Sequence, residues 1–337
     1  MSANSMHANA ASLTHASDID GLASAAFVKM RLGIDAKRIF FCDYTLDSLL
    51  YASERIKPLC RPGFTLFITD IGMNAGLEKA FVNLLSYINK KGGKVVWFDH
   101  HPWSERDISK TARLCQIAII GENRRYCATE ITRKMLGLDD RFSIKLANIV
   151  HYSDFNLKPS NREMRRLIGI YALSISSYST INRRDAYSKL RNLTVLLSGH
   201  KLISNSIKAD ATAFSKLNRL RISKMLGELY IYDNAAIGFG ETIQSTNACA
   251  EIMKKSGKDI GIYINTESNK GHMRSVKADC SIIAKKLGGG GHPHACGFPL
   301  RTLEIRQIKT KSGKSKFSQK LADLARGLPS TQLSSSE

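Results

Sequence analysis

The sequence has few acidic residues and few cysteines. Its 29 Asp and Glu are outnumbered by 50 Lys and Arg, which gives a formal net charge of +21. The seven cysteines are odd in number, scattered, and include no C-x-x-C pair, which argues against a disulfide framework and against a structural zinc site. Because scattered free thiols are typical of a reducing compartment, we expect a cytoplasmic protein.

Long hydrophobic runs are also absent. No apolar run approaches the length that crosses a bilayer, and the first fourteen residues are small and polar, without the apolar core of a signal peptide. We therefore expect no membrane partner. A chain of 337 residues, 43% of them hydrophobic, is long enough for two domains, each with a core of its own.

The basic residues are unevenly distributed along the sequence. Residues 1–150 contain 20 Lys and Arg and 15 Asp and Glu, a net charge of +5, whereas residues 151–337 contain 30 and 14, a net charge of +16. This contrast predicts that the second half binds a polyanion, such as a nucleic acid or nucleotide, while the first half carries the chemistry. The alternatives are a basic surface that serves solubility, a solvated helix face at residues 216–224, and a soluble tail at Lys309, Lys311, Lys314 and Lys316.

Short apolar runs alternate with amphipathic stretches in the first half. Runs at residues 38–42, 65–69, 94–98 and 114–120 predict buried strands, and a short strand is expected at 11–14. Between these strands, apolar residues recur at helical spacing in three stretches, residues 21–31, 46–56 and 77–90. This alternation predicts a parallel sheet covered on both faces. Residues 160–227 read as mostly helical, and strand patterns return at 229–233, 237–239 and 260–264.

Aspartates and histidines follow the predicted strands. Because the carboxyl ends of parallel strands meet at one edge of a sheet, where ligands bind, these side chains are expected to lie together. Phosphoryl hydrolysis benefits from two divalent cations roughly 3.5–4 Å apart, which need several carboxylates, at least one of them bridging. A lone aspartate is more often a cap or turn residue. The candidates are His15, Asp18, Asp20, Asp70, Asp99, His100, His101 and Asp154.

A second candidate site is the glycine run Gly288, Gly289, Gly290 and Gly291, followed by His292 and His294. Without Cβ atoms, this backbone can approach a ligand closely and present its amides, and the two histidines can donate to phosphate. The alternative is a flexible loop with no ligand.

The ordered motifs H-A-S-D-I-D-G, I-T-D-I-G, F-D-H-H-P and H-Y-S-D resemble those of the DHH-family phosphoesterases, and G-G-G-G-H-P-H-A-C-G resembles the signature of that family's C-terminal substrate domain, DHHA1. The five motifs span residues 10 to 300, and their order is far more specific than D-H-H alone. The resemblance implies an α/β fold with a DHH metal-binding catalytic domain at residues 1–200, a helical connector at 201–227, a smaller α/β DHHA1 domain at 228–327 and a disordered tail at 328–337.

The resemblance also implies roles for individual residues. His15, Asp18 and Asp70 would hold one Mn²⁺, and Asp20, Asp70, His100 and Asp154 a second, with Asp70 bridging; Co²⁺ or Mg²⁺ is an alternative metal. Asp99 would orient the site, and His101 would face the scissile phosphate. His15 precedes Asp18 and Asp20 by three and five residues, a spacing that differs from that of other branches of the family and that an extra loop residue would absorb.

In the second domain, Arg274 and Ser275 would contact substrate together with the glycine run and its histidines, since the planar guanidinium of Arg binds phosphate in a bidentate fashion. The implied activity is hydrolysis of short single-stranded RNA or DNA, as an exonuclease or oligoribonuclease. Two alternatives stay open within the family, a 3′,5′-phosphoadenosine phosphatase and a cyclic-dinucleotide phosphodiesterase. A non-enzymatic scaffold of a replication complex is disfavoured because no motif aspartate is missing. A homodimer is compatible with the resemblance.

Overall fold

The computed structural model describes residues 9–73, 76–121, 123 and 125–328. The chain divides into two compact units, Met1–Thr212 and Ala213–Glu337. The division falls inside α9 (Asn205–Leu226). The predicted tail from residue 329 onward lies outside the described residues.

A five-stranded parallel sheet with the order β2-β1-β3-β4-β5 forms the centre of the first unit. In the register of the sheet, Leu13 of the inner strand β1 pairs with Phe40 on one side and Ile68 on the other. Because all five strands run in one direction, their carboxyl ends lie at a single edge. The strands are β1 (Ala10–His15), β2 (Ile39–Cys42), β3 (Thr65–Thr69), β4 (Lys94–Phe98) and β5 (Ile117–Ile119).

Helices cover both faces of this sheet, as the alternation of strands and helices predicted. Side chains alternate along each strand: Phe41 packs into the core with α1 and α5 to α8, and its neighbour Phe40 into the core with α2 and α3. The helices are α1 (Ile19–Leu32), α2 (Leu46–Ile56), α3 (Glu78–Lys90), α4 (Glu105–Ala112), α5 (Ala128–Met135), α6 (Arg141–Asp154), α7 (Arg162–Tyr178) and α8 (Arg183–Ser198).

The second unit contains a six-stranded mixed sheet with the order β10-β11-β9-β8-β7-β6, in which only β7 and β8 pair in parallel. One core lies against α11 and α13, and another against α10 and the last turns of α9. The predicted smaller α/β domain is therefore confirmed as a fold. Its elements are β6 (Leu229–Ile231), β7 (Ala235–Gly240), α10 (Ser245–Ser256), β8 (Ile260–Asn265), β9 (Lys270–Ser275), α11 (Ser281–Lys286), β10 (Gly290–His292), β11 (Ala295–Pro299), α12 (Thr302–Gln307) and α13 (Lys311–Arg326).

The basic segment near the end of the chain is not a soluble tail. Lys311, Lys314 and Lys316 lie in α13, a helix that buries Phe317 and Leu321 in the core. The amphipathic spacing of the whole helix therefore decides its structure, although its first turns are rich in Lys and Ser. No helix in the described part of the chain is both long and apolar enough to cross a membrane.

The boundary between the units also changes the charge distribution. Residues 1–212 contain 30 Lys and Arg and 19 Asp and Glu, a net charge of +11, and residues 213–337 contain 20 and 10, a net charge of +10. The contrast between a balanced half and a basic half is therefore absent from the folded units, because many basic residues of α7 and α8 belong to the first unit.

Candidate metal centre and substrate-binding residues

The candidate metal centre lies at the carboxyl edge of the parallel sheet. His15 ends β1, Asp70 follows β3, and His100 follows β4 by two residues. Asp18 is the N-cap of α1, and Asp154 is the last residue of α6. Segments far apart in the sequence thus deliver their polar side chains to one place.

His15, Asp18 and Asp70 form a first group, in which the candidate ligand atoms all lie within 4.8 Å of one another. The Nδ1 atom of His15 lies 3.1 Å from Oδ2 of Asp18 and 3.5 Å from Oδ2 of Asp70. Asp18 accepts the backbone N–H groups of Asp20 and Gly21 with its Oδ1 atom, so helix capping leaves Oδ2 directed at the group. The shifted spacing of the first motif therefore does not keep His15 away from the two aspartates.

Asp20, His100 and Asp154 form a second group of the same size. The Nε2 atom of His100 lies 3.6 Å from Oδ2 of Asp20 and 3.6 Å from Oδ2 of Asp154. It also lies 3.7 Å from Oδ1 of Asp70. Asp70 therefore directs one carboxylate oxygen at each group.

The backbone of Asp70 has a left-handed conformation, with φ of 57°. This conformation is uncommon for residues other than glycine, although Asp and Asn tolerate it better than most. The N–H group of Asp70 donates to the carbonyl oxygen of Phe98 on the neighbouring strand, at 3.0 Å. That bond holds the turn after β3 in place and fixes the carboxylate between the two groups.

The electrostatics of the centre favour a bound cation. Burial, together with the charges of Asp20 and Asp18, raises the pKa of Asp70 well above its usual range. Burial and the same two aspartates raise the pKa of Asp154 to about 8. The Oδ2 atoms of Asp70 and Asp154 are buried and accept no hydrogen bond from any described residue. Buried carboxylate oxygens that accept no hydrogen bond are costly. Divalent cations bound by carboxylate and imidazole ligands would compensate them, so the residues fit a metal centre.

Asp99 and His101 adjoin the two groups. Asp99 accepts three bonds: from Nδ1 of His101 at 2.8 Å, from the His101 backbone N–H at 3.1 Å, and from Nε1 of Trp103 at 2.7 Å. Burial lowers the pKa of His101, but the charge of Asp99 and this hydrogen bond outweigh burial and raise it to about 9. Asp99 thus holds the His101 ring in one orientation and favours its charged form.

Two contributors to the centre were not predicted from the sequence. The first is α5, whose backbone N–H groups at Ala128 and Thr129 donate to the Asp20 carboxylate at 2.9 and 2.7 Å. The N-terminus of a helix is a natural anion-binding position, and here it holds a candidate ligand. The helix contains only eight residues, so its pattern gives little signal.

The second unpredicted contributor is Tyr44, which follows β2. Its ring lies 4.9 Å from that of His15, and its hydroxyl lies 3.4 Å from Nε2 of His101. The hydroxyl also accepts the backbone N–H of Gly72 at 3.4 Å. The sequence D-Y-T after a predicted strand end was the available signal.

Among the predicted substrate-binding residues, Arg274 and Ser275 end β9. The Arg274 guanidinium donates to Oγ1 of Thr246 at 3.0 Å, and Oγ of Ser275 lies 3.2 Å from Nδ1 of His294. The structure therefore brings Ser275 and His294 together. The hydrogen bond to Thr246 holds the Arg274 side chain by one of its several N–H donors.

The glycine run is not a free loop. Gly290, Gly291 and His292 form β10, which pairs antiparallel with β11. A Cβ atom on Gly289 would lie 2.0 Å from the carbonyl oxygen of Gly297, so this glycine is required by strand packing. Space around Gly288 and Gly290 is open, with nothing within 4 Å of a Cβ atom. The close backbone contact thus accounts for Gly289, and the left-handed backbone of Gly288, with φ of 81°, accounts for that glycine.

Comparison with known proteins gives matches in structure alone. No protein-family model matches the chain, and no curated protein matches it in sequence. The fold is similar to that of the exonuclease RecJ bound to manganese, with a TM-score of 0.50 and 14% identity over 94% of this chain and 92% of that one. It is also similar to an exopolyphosphatase-related protein from Bacteroides fragilis, with a TM-score of 0.50 and 16% identity over 93% of each chain.

A pGpG-specific phosphodiesterase from Vibrio cholerae aligns with a TM-score of 0.49 and 17% identity, over 93% of this chain and 99% of that one. The alignments with RecJ and with the Bacteroides protein, each over nearly the whole of both chains, show that this chain has the fold of those two proteins.

Proposed function

We propose that the protein is a phosphoesterase that uses two divalent cations, Mn²⁺ in preference, to hydrolyse phosphodiester bonds in short single-stranded nucleic acids. The observation that carries the proposal is the position of Asp70, whose two carboxylate oxygens point at two separate groups of candidate ligands. A shared carboxylate is what a pair of closely spaced cations requires. A RecJ structure of the same fold contains manganese, which supports the choice of metal.

In this proposal His15, Asp18 and Asp70 hold one cation, and Asp20, Asp70, His100 and Asp154 hold the other. When bound, the cations supply an activated water and charge compensation for the phosphate oxygens. The amides at the N-terminus of α5 keep the Asp20 carboxylate in position. Asp99 keeps His101 charged, and Nε2 of His101, which lies 3.4 Å from the Tyr44 hydroxyl, would donate a hydrogen bond to a phosphate oxygen.

The proposed substrate is an oligonucleotide because both units are strongly basic, +11 and +10. A mononucleotide presents few phosphates, whereas a single strand presents one per residue, and a basic surface gains affinity with each phosphate that it contacts. Arg274, Ser275, His294 and the open part of the glycine run are the proposed phosphate contacts in the second unit.

Two other reactions of the same chemistry remain as alternatives, hydrolysis of 3′,5′-phosphoadenosine and hydrolysis of a cyclic dinucleotide. A scaffold without activity is disfavoured, because every ligand position of both groups is occupied by Asp or His and the groups come together.

The deciding experiment is a product profile. The protein is incubated with Mn²⁺ and 5′-labelled RNA or DNA of about two to twenty-four nucleotides, and in parallel with 3′,5′-phosphoadenosine and a cyclic dinucleotide. We expect cleavage of the oligomers. Release of phosphate from phosphoadenosine alone would replace the proposal with the phosphatase alternative, and opening of the cyclic dinucleotide alone would replace it with the phosphodiesterase alternative.

A matched pair of variants tests the proposed phosphate contacts. Arg274→Ala should weaken oligomer binding by about 1.5–3 kcal/mol, the range for a hydrogen bond to a charged group. Arg306→Ala removes the same charge from an exposed position on α12 and should have little effect. Equal losses in the two variants would show that Arg274 acts only through net charge.

A further inference from the structure

A cavity of about 490 Å³ lies in the first unit, along the outer edge of the sheet. Strand β2 is the edge strand on that side, and the cavity is lined by residues of β2, of α2, of α8 and of the turn that precedes β2. It is referred to below as the edge cavity. None of its lining residues belongs to the two groups of candidate metal ligands.

The lining of the edge cavity is strongly basic. Five cationic side chains line it, against the single carboxylate of Asp35, which accepts the backbone N–H of Lys37 at 2.7 Å. Within the described part of the chain, none of the five forms an ion pair with a carboxylate. So many cations around one concave site create a positive potential that favours an anion. The five are Lys37, Arg38, Arg55, Arg184 and Arg191.

The hydrogen bonds of Arg191 within the protein use only part of its guanidinium group. Its guanidinium donates to the carbonyl oxygen of Ile39 at 3.3 Å, which covers part of the free edge of β2. Its Nε atom is buried and makes no hydrogen bond to any described residue. One guanidinium carries five donors in a planar fork, so protection of the strand edge leaves most of its donors unused.

Flat aromatic rings stand beside these cations. Tyr187 lies 5.5 Å from Phe41 and 6.0 Å from Tyr51, measured between ring centroids, and all three line the cavity. The Arg55 guanidinium carbon lies 3.5 Å from the centroid of the Tyr51 ring. Aromatic faces next to guanidinium groups are the combination that binds a nucleobase together with its phosphate.

We propose that the edge cavity is a second nucleotide-binding site, separate from the metal centre, which takes a nucleobase beside Tyr51 and Tyr187 and the attached phosphate among Arg55, Arg184 and Arg191. The same chemistry is offered by two sources, a free mononucleotide and the 5′-phosphorylated end of an oligonucleotide. Binding there requires no metal, so it stands or falls independently of the hydrolysis proposed above.

The test measures binding of AMP by isothermal titration calorimetry, with EDTA present and no divalent cation. The full chain is compared with the double variant Arg55→Gln/Arg184→Gln, because both side chains are exposed and their loss should not disturb the fold. The matched control is Arg162→Gln/Arg166→Gln, which removes the same two charges from exposed positions of α7, outside the cavity. Arg274→Ala controls for binding in the second unit.

We expect the cavity variant to bind AMP more weakly by about tenfold or more, and the Arg162→Gln/Arg166→Gln control to bind as the unchanged protein does. Tyr51→Ala should weaken binding of AMP more than binding of pyrophosphate, since only AMP has a base to stack. The Asp70→Asn protein is then titrated with AMP and with a 5′-phosphorylated dinucleotide. Tighter binding of AMP identifies a free mononucleotide as the ligand, and tighter binding of the dinucleotide identifies the 5′-phosphorylated end of an oligonucleotide.

Three results would overturn the proposal. One is equal AMP affinity in the cavity variant and in its α7 control. Another is a loss of AMP binding in Arg274→Ala alone. The third is the absence of measurable AMP binding to the unchanged protein at millimolar concentration.

Discussion

Replacing Asp70 by Asn should stabilise the metal-free protein and remove its response to Mn²⁺. Asn is the appropriate substitution because it preserves the shape of the side chain and tolerates the positive φ of 57° at this position. Alanine would add backbone strain of about 1–2 kcal/mol and obscure the result.

The magnitude follows from the contacts of Asp70. Its Oδ2 atom accepts no hydrogen bond from the described residues, and its backbone bond to Phe98 does not depend on the side chain. Burial and the neighbouring Asp20 and Asp18 disfavour its charge. A neutral amide should therefore raise the free energy of unfolding by about 1 kcal/mol without metal, or about 2–4 °C in the melting temperature of a unit of this size.

With Mn²⁺ present, the unchanged protein should become more stable than the Asp70→Asn variant. A cation present at about 100 times its dissociation constant stabilises the folded protein by about 2.7 kcal/mol, and the side-chain amide of the Asp70→Asn variant cannot replace the shared carboxylate. The assay is thermal unfolding of the protein and of Asp70→Asn, each with EDTA and across a Mn²⁺ titration, with hydrolysis measured in parallel. Glu54→Gln, on the exposed face of α2, is the control for loss of one negative charge.

Two results would refute this reasoning. If Asp70→Asn keeps the full shift with Mn²⁺, Asp70 is not a shared ligand. If its metal-free form is less stable than the unchanged protein by more than about 2 kcal/mol, the carboxylate has a structural role that the missing hydrogen bonds do not show.

Three further predictions concern other parts of the molecule. Exhaustive chelation should abolish hydrolysis, and Mn²⁺ should restore it better than Mg²⁺, with Ca²⁺ inactive, because the ligand set mixes imidazole with carboxylate; turnover that survives chelation would exclude the metal mechanism. Oligomer affinity should fall steeply with salt, with a slope that grows with oligomer length, in titrations at two salt concentrations; a flat response would favour the mononucleotide alternative. Burial beside Lys270 and Arg274 lowers the pKa of His272 to about 4, so its neutral form contributes stability that is present above its unfolded pKa of about 6.5 and is lost as the pH falls toward 4. This contribution is at most about 3 kcal/mol. The protection of β8 and β9 against amide exchange should therefore change less between pH 7 and pH 4.5 in His272→Gln than in the unchanged protein. An equal change in the two proteins would exclude His272 as the cause.

The first unit was readily predicted from the sequence because its buried strands are continuous apolar runs. The runs at residues 65–69 and 94–98 coincide with β3 and β4, since a strand covered on both faces needs apolar residues at every position. The strands β9, β10 and β11 were missed. β9 reads K-G-H-M-R-S and β10 reads G-G-H, and such polar or glycine-rich strands lack both periodicity and strand propensity. Backbone pairing with neighbours, which no local pattern reveals, forms them.

The candidate site was predictable as far as it lies at strand ends. His15, Asp70 and His100 each follow a recognisable strand, and the geometry of a parallel sheet brings such positions together. The contacts of Asp20 with Ala128 and Thr129 join positions 108 and 109 residues apart and leave no trace in spacing. The prediction of one balanced and one basic part was wrong for a related reason, because the helices between residue 150 and the unit boundary fold with the first unit.

The link between Asp20 and α5 has a consequence for the order of events during synthesis of the chain. Asp20 leaves the ribosome early, but the amides that hold its carboxylate follow 108 residues later, and Asp154 follows later still. A nascent chain that has completed β1 to β4 can therefore pair its strands but cannot complete the second ligand group. Tight metal uptake should accordingly be a late step that reports completion of the first unit, since binding energy becomes available only when the distant contacts have formed.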